Sequence, residues 1–307
     1  MAGPRKKKTI QMALETPHPV PNNWEEVYGL IKEMRQSMQA PVDVMGCDAS
    51  MKEVGDPRTK RFSTLISLML SSQTKDEVTH AAVRSLSEAL GGLTVDNILS
   101  ATNATIEAAI CKVGFWRRKT QYVRQTAQKL KDEFDSDVPK TVDELCSLPG
   151  VGPKMAFLAL QSAWNLNHGI GVDVHVHRIT NRLGWHKPPT TNPEQTRLNL
   201  QSWLPSELHR EINPLLVGFG QVICLPVNPR CEVCKLSDRH LCPSARVTRR
   251  KNTVGTASSS KERGVLLSPA ISAQDRGESE YALVHADYMP KIEIEIEPSG
   301  GLVKIEK

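Results

Sequence analysis

The segment 141–185 constrains the fold of this chain most, because it predicts three helices that are joined by glycine-containing loops. Thr141 and Glu144 have the spacing of a capping box, which predicts that a short helix begins near Val142. Residues 148–152 (LPGVG) follow, and their two glycines are free to take positive φ. A glycine-rich stop after a capped helix predicts a tight turn, with a second helix directly after it.

The turn and the helix after it have features of a phosphate-binding site. Pro153 is favourable at the first position of a helix, where a missing N–H loses no partner, and residues 154–164 are apolar on nearly every side. Glycine permits the close approach of another backbone, and the free N–H groups at a helix N-terminus attract anions. The same pattern occurs in helix corners that bind no ligand, so the turn alone leaves both interpretations open.

Two ionisable residues near the turn are suited to covalent chemistry on a sugar. Lys154 lies in the first turn of a buried helix, where the macrodipole and desolvation both oppose its charge, so we expect a pKa below the ordinary value of about 10.4. A neutral amine can attack C1′ of a sugar, although lysines at helix starts commonly extend into solvent instead. Asp173 precedes a third helix, so it is predicted to be an N-cap that stays ionised and can stabilise positive charge.

Residues 148–154 (LPGVGPK) and 172–175 (VDVH) together resemble the helix–hairpin–helix and Gly/Pro…Asp signature of the endonuclease III family. Members of that family are base-excision DNA glycosylases that also cleave abasic sites. The resemblance covers about residues 24–246 and is closest to the eukaryotic nuclear and mitochondrial members. It implies that Lys154 is the Schiff-base nucleophile and that Asp173 is the assisting carboxylate.

The resemblance also implies which residues contact DNA. Residues 71–74 (SSQT) form a polar loop that is by itself an ordinary turn between helices, but its Gln73 matches the family position that fills the gap left by an extruded base. Residues 113–119 (VGFWRRK) combine aromatic rings with three cations in a glycine loop, which suits a track of backbone phosphates with a wedge residue. The residues that we expect to bind DNA are Gln73, Phe115, Arg117, Arg118, Gly150, Val151, Gly152 and His175.

Four cysteines within 19 residues, spaced C-x6-C-x2-C-x7-C, can close on one metal centre. The spacing leaves zinc and an iron–sulfur cube both open, and slightly favours zinc. The family resemblance implies a [4Fe–4S] cluster instead, although family members generally have five residues before the last cysteine where this chain has seven. The predicted ligands are Cys224, Cys231, Cys234 and Cys242, whereas Cys47, Cys111 and Cys146 are predicted to be small buried hydrophobic residues.

The two ends of the chain differ in charge. Residues 1–23 are predicted to be a disordered basic arm, in which 4–8 (PRKKK) is either a nuclear import signal or a solvated tail. The first 14 residues contain no acid, so a mitochondrial address is an alternative. Residues 256–307 hold six Lys/Arg and nine Asp/Glu, so the remainder is more basic than the net charge of +5 indicates, which favours a polyanionic partner. We predict a disordered or weakly structured tail over 247–307, with a small hairpin over 291–305.

The whole chain is predicted to be all-α, with the two-lobed helix–hairpin–helix DNA glycosylase fold and a cysteine-ligated iron–sulfur cluster loop. One lobe, residues 57–167, is a helical barrel that ends in the hairpin. The other is discontinuous, consists of residues 24–56 plus 168–246, and carries the cluster. No apolar run reaches the roughly 18 residues of a membrane span. Seven cysteines, an odd number, favour a reducing compartment over a disulfide framework.

The function that the resemblance implies is that of a bifunctional DNA glycosylase and abasic-site lyase. Such an enzyme removes oxidised pyrimidines from duplex DNA and cleaves the abasic site through a Schiff base and β-elimination. We expect a monomer in the nucleus or also the mitochondrion, with damaged double-stranded DNA and other base excision repair proteins as partners and no membrane. One alternative is an adenine-specific glycosylase of the same superfamily, which lacks a lysine at the position of Lys154. The other is a non-catalytic helix–hairpin–helix scaffold that only binds DNA.

Overall fold

The computed structural model describes residues 10–46 and 55–246, and these residues form helices and no strand. The all-α prediction is therefore confirmed for this part of the chain. None of its helices is long and apolar enough to cross a lipid bilayer. The α-helices are α1 (Trp24–Gln36), α2 (Pro41–Met45), α3 (Pro57–Ser71), α4 (Asp76–Leu90), α5 (Val95–Ser100), α6 (Asn103–Ile110), α7 (Trp116–Glu133), α8 (Val142–Cys146), α9 (Pro153–Trp164), α10 (Val174–Arg182), α11 (Pro193–Gln201), α12 (Ile212–Val222) and α13 (Lys235–Asp238), with short 3-10 helices at Ser206–Leu208 and Cys231–Val233.

The buried apolar side chains of the described residues form two clusters. The first contains Phe62 of α3 and Phe157 of α9, and α9 packs along α3. The second contains Trp185 and Phe219, and here α10 packs on α12. Helix α9, which carries Lys154, therefore belongs to a different cluster from α10, which follows Asp173. The lobe boundaries after residues 56, 167 and 246 stay a prediction.

Residues 10–23, which we predicted to belong to a disordered arm, lie instead against the helical body. Arg197 of α11 is only 1% exposed, and its guanidinium donates a hydrogen bond to the carbonyl oxygen of Gln11. The side chain of Ile10 packs against the first cluster. A buried guanidinium needs hydrogen-bond acceptors for its five N–H donors. The backbone carbonyl of Gln11 is one acceptor for Arg197, and this bond holds the segment 10–23 against α11. Residues 1–9, with the basic run, lie outside the described residues.

The cysteines outside the predicted metal loop are less buried than we expected. Cys111 is exposed, because it is the residue that ends α6 and lies in the loop after it. Cys146 is half-buried, and burial raises the pKa of its thiol to about 11. Cys47 and the tail 247–307, including the predicted hairpin, lie outside the described residues.

Candidate functional site

The turn after α8 is built around a glycine that no other residue could replace. Gly150 has a φ of +80°, and a Cβ atom there would lie 2.5 Å from the ring of Tyr122 on α7. Gly152 has a φ of −111° and is the N-cap of α9, with Pro153 at the start of the helix as predicted. Of the two glycines that are free to take positive φ, only Gly150 does so, because Gly152 is an N-cap residue and adopts an extended backbone.

The carbonyl groups of the turn accept hydrogen bonds from side chains of α7, whereas the N–H groups at the start of α9 have no capping side chain. The hydroxyl of Thr126 donates to the carbonyl oxygen of Pro149 at 3.2 Å, and Nζ of Lys129 donates to that of Ser147 at 3.0 Å. No side chain caps the N-terminus of α9. The first N–H groups of α9 are thus free of a capping side chain and can receive a phosphate oxygen. Val151 is buried, and its backbone N–H donates to the carbonyl oxygen of Leu148 at 3.2 Å, so its N–H is engaged within the turn.

Lys154 occupies the first turn of α9 and is half-buried. Its ammonium forms no hydrogen bond or ion pair with any residue that the structure describes. Its positive charge nevertheless acts on Asp173, where it helps to lower the pKa of the carboxyl group. An amine without a fixed partner, near a carboxylate, is free to form a new bond.

Asp173 is the N-cap of α10, as predicted, and is 8% exposed. Its Oδ1 accepts hydrogen bonds from the backbone N–H groups of His175 and Val176, both at 2.9 Å. Its Oδ2 accepts one from Nδ1 of His175 at 2.8 Å. Burial raises the pKa of Asp173, but the His175 hydrogen bond, the charge of Lys154 and the backbone donor together hold it below its ordinary value. Asp173 is therefore ionised at neutral pH.

The structure brings four of the eight predicted DNA-binding residues, Gln73, Phe115, Arg118 and Gly150, around one cavity. Gln73 and Phe115 both have positive φ, 51° and 56°, and both are exposed. Arg117 is also exposed and packs over the ring of Trp116, which itself lies against the first cluster. His175 does not line this cavity and is instead hydrogen-bonded to Asp173. The cavity has a volume of about 220 Å³ and is lined by Met69, Ser72, Gln73, Phe115, Arg118, Lys119, Tyr122 and Gly150.

Two residues of this region were missed at the sequence level. The sequence predicts that Lys119 is one of three cations on a surface track, but it is only 6% exposed, and burial lowers the pKa of its ammonium to about 8. Tyr122, whose ring lies against Gly150, was given no role. Helix α7 begins at Trp116, and Lys119 lies on its buried face with Val123 four residues later. Helical periodicity continued back from Val123 to residue 116 would have placed Lys119 on the buried face of this helix.

The four cysteines of the predicted metal loop are free thiols that line one cavity. Burial raises the pKa of Cys234 and Cys242, and the charges of the neighbouring cysteines raise them further. Arg182 of α10 donates from Nη1 to Sγ of Cys224 at 3.4 Å. Four soft sulfur donors beside a cation fit a thiolate-ligated centre. In the part of the chain that the structure describes, no three His, Cys, Asp or Glu side chains have an arrangement that could hold a metal ion.

Comparisons with known proteins place these features among DNA repair proteins. A family model described as HhH-GPD superfamily base excision DNA repair protein matches residues 66–206. Endonuclease III-like protein 1 of Gallus gallus is 53% identical over 234 residues, which are 76% of this chain and 82% of that protein. Endonuclease III homolog of Schizosaccharomyces pombe is 50% identical over 258 residues, which are 82% of this chain and 72% of that protein.

Solved structures are similar over the same part of the chain. A trapped covalent endonuclease III–DNA intermediate with an estranged adenine matches with a TM-score of 0.60 at 25% identity, over 72% of this chain and 96% of that chain. A thermostable thymine-DNA glycosylase shares the fold, with a TM-score of 0.57 at 19% identity, over 72% and 95%. The residues that the family model matches include Lys154, Asp173 and every residue that lines the cavity of about 220 Å³.

Proposed function

Because this chain belongs to the endonuclease III family of HhH-GPD base excision DNA repair proteins, and is a DNA glycosylase, we propose that it also cleaves the abasic site it creates. The proposed substrate is an oxidised pyrimidine in duplex DNA. The observation that carries this proposal is the pairing of an unbonded lysine with a buried, ionised carboxylate, Lys154 and Asp173. A glycosylase that used only water would have no need of the amine.

In the proposed reaction, the ammonium of Lys154 first loses a proton to solvent, and its nitrogen then attacks C1′ of an extruded nucleotide. The N-glycosidic bond breaks, and the base leaves with the bonding electron pair and takes up a proton. The carboxylate of Asp173 stabilises the positive charge that develops on the sugar and accepts the proton that the amine gives up. The C1′–O4′ bond then breaks, O4′ takes up a proton, and a protonated imine forms between C1′ and the lysine nitrogen. This imine acidifies C2′, and loss of a C2′ proton breaks the 3′ C–O bond with the phosphate as leaving group.

The remaining parts of the site bind and deform the duplex. The uncapped N–H groups at the start of α9 hold a phosphate, and the exposed Gln73 and Phe115 enter the stack where the damaged nucleotide leaves it. The hydrogen bond that His175 donates to Asp173 keeps the carboxylate oriented. Removal of a base from duplex DNA requires such extrusion, since the target sugar is otherwise buried in the helix.

Incubation of the protein with a duplex that carries one oxidised pyrimidine tests the function. We expect free base, a strand with a β-elimination end, and a covalent protein–DNA adduct when borohydride is present, because only a lysine nucleophile forms a reducible imine. Base release without an adduct would favour a water-based glycosylase, as in the adenine-specific alternative. Binding without either product would favour the scaffold alternative.

Substitution of Arg117 and Arg118 by alanine should weaken DNA binding without changing lesion preference. Both side chains are exposed, so they can neutralise phosphates, and Arg118 lines the cavity. The logarithm of the association constant should fall with the logarithm of salt concentration with a slope of about −0.9 per phosphate contact, and the double variant should lose about two such contacts. Titrations of damaged and undamaged duplex at several salt concentrations measure this.

Arg58→Ala is the matched control for that experiment. Arg58 is an exposed arginine that pairs with Asp135, just beyond the end of α7 opposite to Phe115. Its removal should leave the slope unchanged. A salt dependence that is flat in the unmodified protein, or that responds equally to Arg58→Ala, would contradict the proposed footprint.

We further propose that the cysteine loop holds a [4Fe–4S] cluster. The ligands would be Cys224, Cys231, Cys234 and Cys242, which are free and line one cavity. Four thiolates and no imidazole are the donor set of such clusters. The cluster would fix the loop against α10 through Arg182, and it takes no part in the proposed steps at the sugar.

Purified protein should be brown, with about four irons per chain. Cys231→Ser should lose the visible absorbance and much of the folded yield, because a thiolate ligand is removed. Cys111→Ser removes an exposed thiol outside the loop and is expected to change neither. Metal analysis and absorbance spectra measure the outcome. One zinc and no iron per chain would overturn the cluster, and the seven-residue spacing before Cys242 would then be its cause.

The cellular location and the oligomeric state stay predictions. We propose a monomer in the nucleus, with a mitochondrial pool as the alternative. The basic run 4–8 that motivates this proposal lies outside the described residues.

A further inference from the structure

Lys119 is a buried cation for which the proposed chemistry gives no task. Its side chain is 6% exposed, so it cannot contact a phosphate. Its Nζ donates hydrogen bonds to the carbonyl oxygens of Leu70, at 2.7 Å, and Ser72, at 2.5 Å. It also donates to Oγ1 of Thr74 at 3.3 Å. The last carbonyl groups of a helix have no partner within the helix, and here a lysine from α7 supplies one at the end of α3.

The loop that Lys119 holds is in direct contact with the turn before α7. Oγ1 of Thr74 accepts a hydrogen bond from the backbone N–H of Gly114 at 3.2 Å. A Cβ atom on Gly114 would lie 2.6 Å from the carbonyl oxygen of Gln73, so only glycine permits this approach of the two backbones. Phe115 directly follows Gly114, and Gln73 directly precedes Thr74. Both side chains are consequently fixed beside the same cavity.

Both of these residues adopt a backbone conformation that they would not hold without support. Gln73 and Phe115 have φ of 51° and 56°, in the left-handed region that is unfavourable for residues with a Cβ. Such conformations persist when surrounding contacts over-determine them. The three hydrogen bonds from Lys119 supply those contacts for the first loop and reach the second through Thr74.

The environment of Lys119 offers its buried ammonium no acidic side chain, so burial of the positive charge is unfavourable. No acidic residue lines the cavity with it, and the charged neighbour there, Arg118, is a second cation. Burial without a counter-ion lowers the pKa of Lys119 to about 8. Three oxygen acceptors take the place of water, so the position favours a donor with several hydrogens over an apolar side chain.

We propose that Lys119 is a positioning residue for base extrusion, which joins the Gln73 loop to the Phe115 turn so that both side chains enter the duplex as one unit. This inference rests on the proposed glycosylase function. Lys119 touches neither the sugar nor the base, and its effect is confined to the step in which the damaged nucleotide leaves the stack. An abasic site has no base to unstack or unpair, so its processing depends less on that step.

Lys119→Met tests the proposal because it keeps the length of the side chain and removes the donor. Under single-turnover conditions, base release from a paired oxidised pyrimidine should fall by about tenfold, the loss expected when a charged hydrogen-bond donor is removed. Strand cleavage at a preformed abasic site should change by less than about threefold, since both substrates use Lys154 equally. Lys131→Met is the matched control, because Lys131 lies on the same helix but pairs with Asp96 at the surface.

A fluorescent 2-aminopurine next to the lesion reports the extrusion step directly. Lys119→Met should slow the rise in fluorescence by the same factor as base release. Thr74→Val, which removes an acceptor of Lys119 and of Gly114 without changing size, should give a smaller loss in the same direction, and it serves as the test if Lys119→Met does not fold. Equal losses on both substrates, or unchanged base release in the folded variants, would overturn the proposal. Absence of base release by the unmodified protein would instead overturn the proposed function.

Discussion

Replacement of Lys154 by glutamine is expected to abolish the borohydride-trapped adduct and strand cleavage altogether. The amide of glutamine is not nucleophilic, so no imine can form at C1′. Binding to damaged duplex should largely survive, because the phosphate is held by backbone N–H groups at the start of α9, which need no lysine amine. Lys154 forms no hydrogen bond with a described residue, so its replacement breaks no structural contact there. Gel analysis of the trapped complex and a binding titration give the two results.

Lys140→Gln provides the matched control for the nucleophile. Lys140 is an exposed lysine in the loop before α8, and its ammonium lies 4.3 Å from the centre of the ring of Trp164, the last residue of α9. The same substitution there should leave the adduct yield unchanged. An adduct that persists in Lys154→Gln would show that another amine attacks the sugar, and the site would have to be reassigned.

The local features of the site could be predicted from the sequence because they depend on neighbouring residues. The cap formed by Asp173 joins atoms two and three residues apart, and the start of α9 at Pro153 follows from the missing N–H of proline. The all-α class follows likewise from helical periodicity. These features need no knowledge of how distant segments pack.

The features that the sequence could not supply depend on contacts between distant segments. The contact of Gly114 with the backbone of Gln73 joins residues 41 positions apart, and the hydrogen bond from buried Lys119 to Leu70 joins residues 49 positions apart. The run of cations at 117–119 predicts that Lys119 is exposed on a surface track, like Arg117 and Arg118. Residues 10–23 show the same limit, since the acceptor that Gln11 offers to Arg197 is a backbone carbonyl, which no side-chain pattern reveals.

Asp173→Asn is expected to fold, bind DNA and react about a hundredfold more slowly or worse. Asparagine has nearly the size of aspartate and caps helices comparably, so the hydrogen bonds to the backbone of His175 and Val176 can survive. The negative charge that stabilises the developing positive charge on the sugar is lost, and removal of one electrostatic stabiliser typically lowers kcat by two to three decades, about 10²–10³. Single-turnover base release measures this, with a binding titration to show that the substrate is still held.

The pH dependence of stability separates the charge of Asp173 from its role as a cap. The folded-state pKa of Asp173 lies below its ordinary value of about 3.9, so the stabilisation by its charge is fully present above that value and is lost as pH falls through the folded pKa. The difference in unfolding free energy between the unmodified protein and Asp173→Asn should therefore be constant from pH 7 to about pH 5 and should shrink in stronger acid. If Asp173 were a charged cap with no part in the chemistry, the same pH dependence of stability would remain, but turnover of Asp173→Asn would be near normal. That pair of results would remove Asp173 from the chemistry and leave Lys154 without its partner.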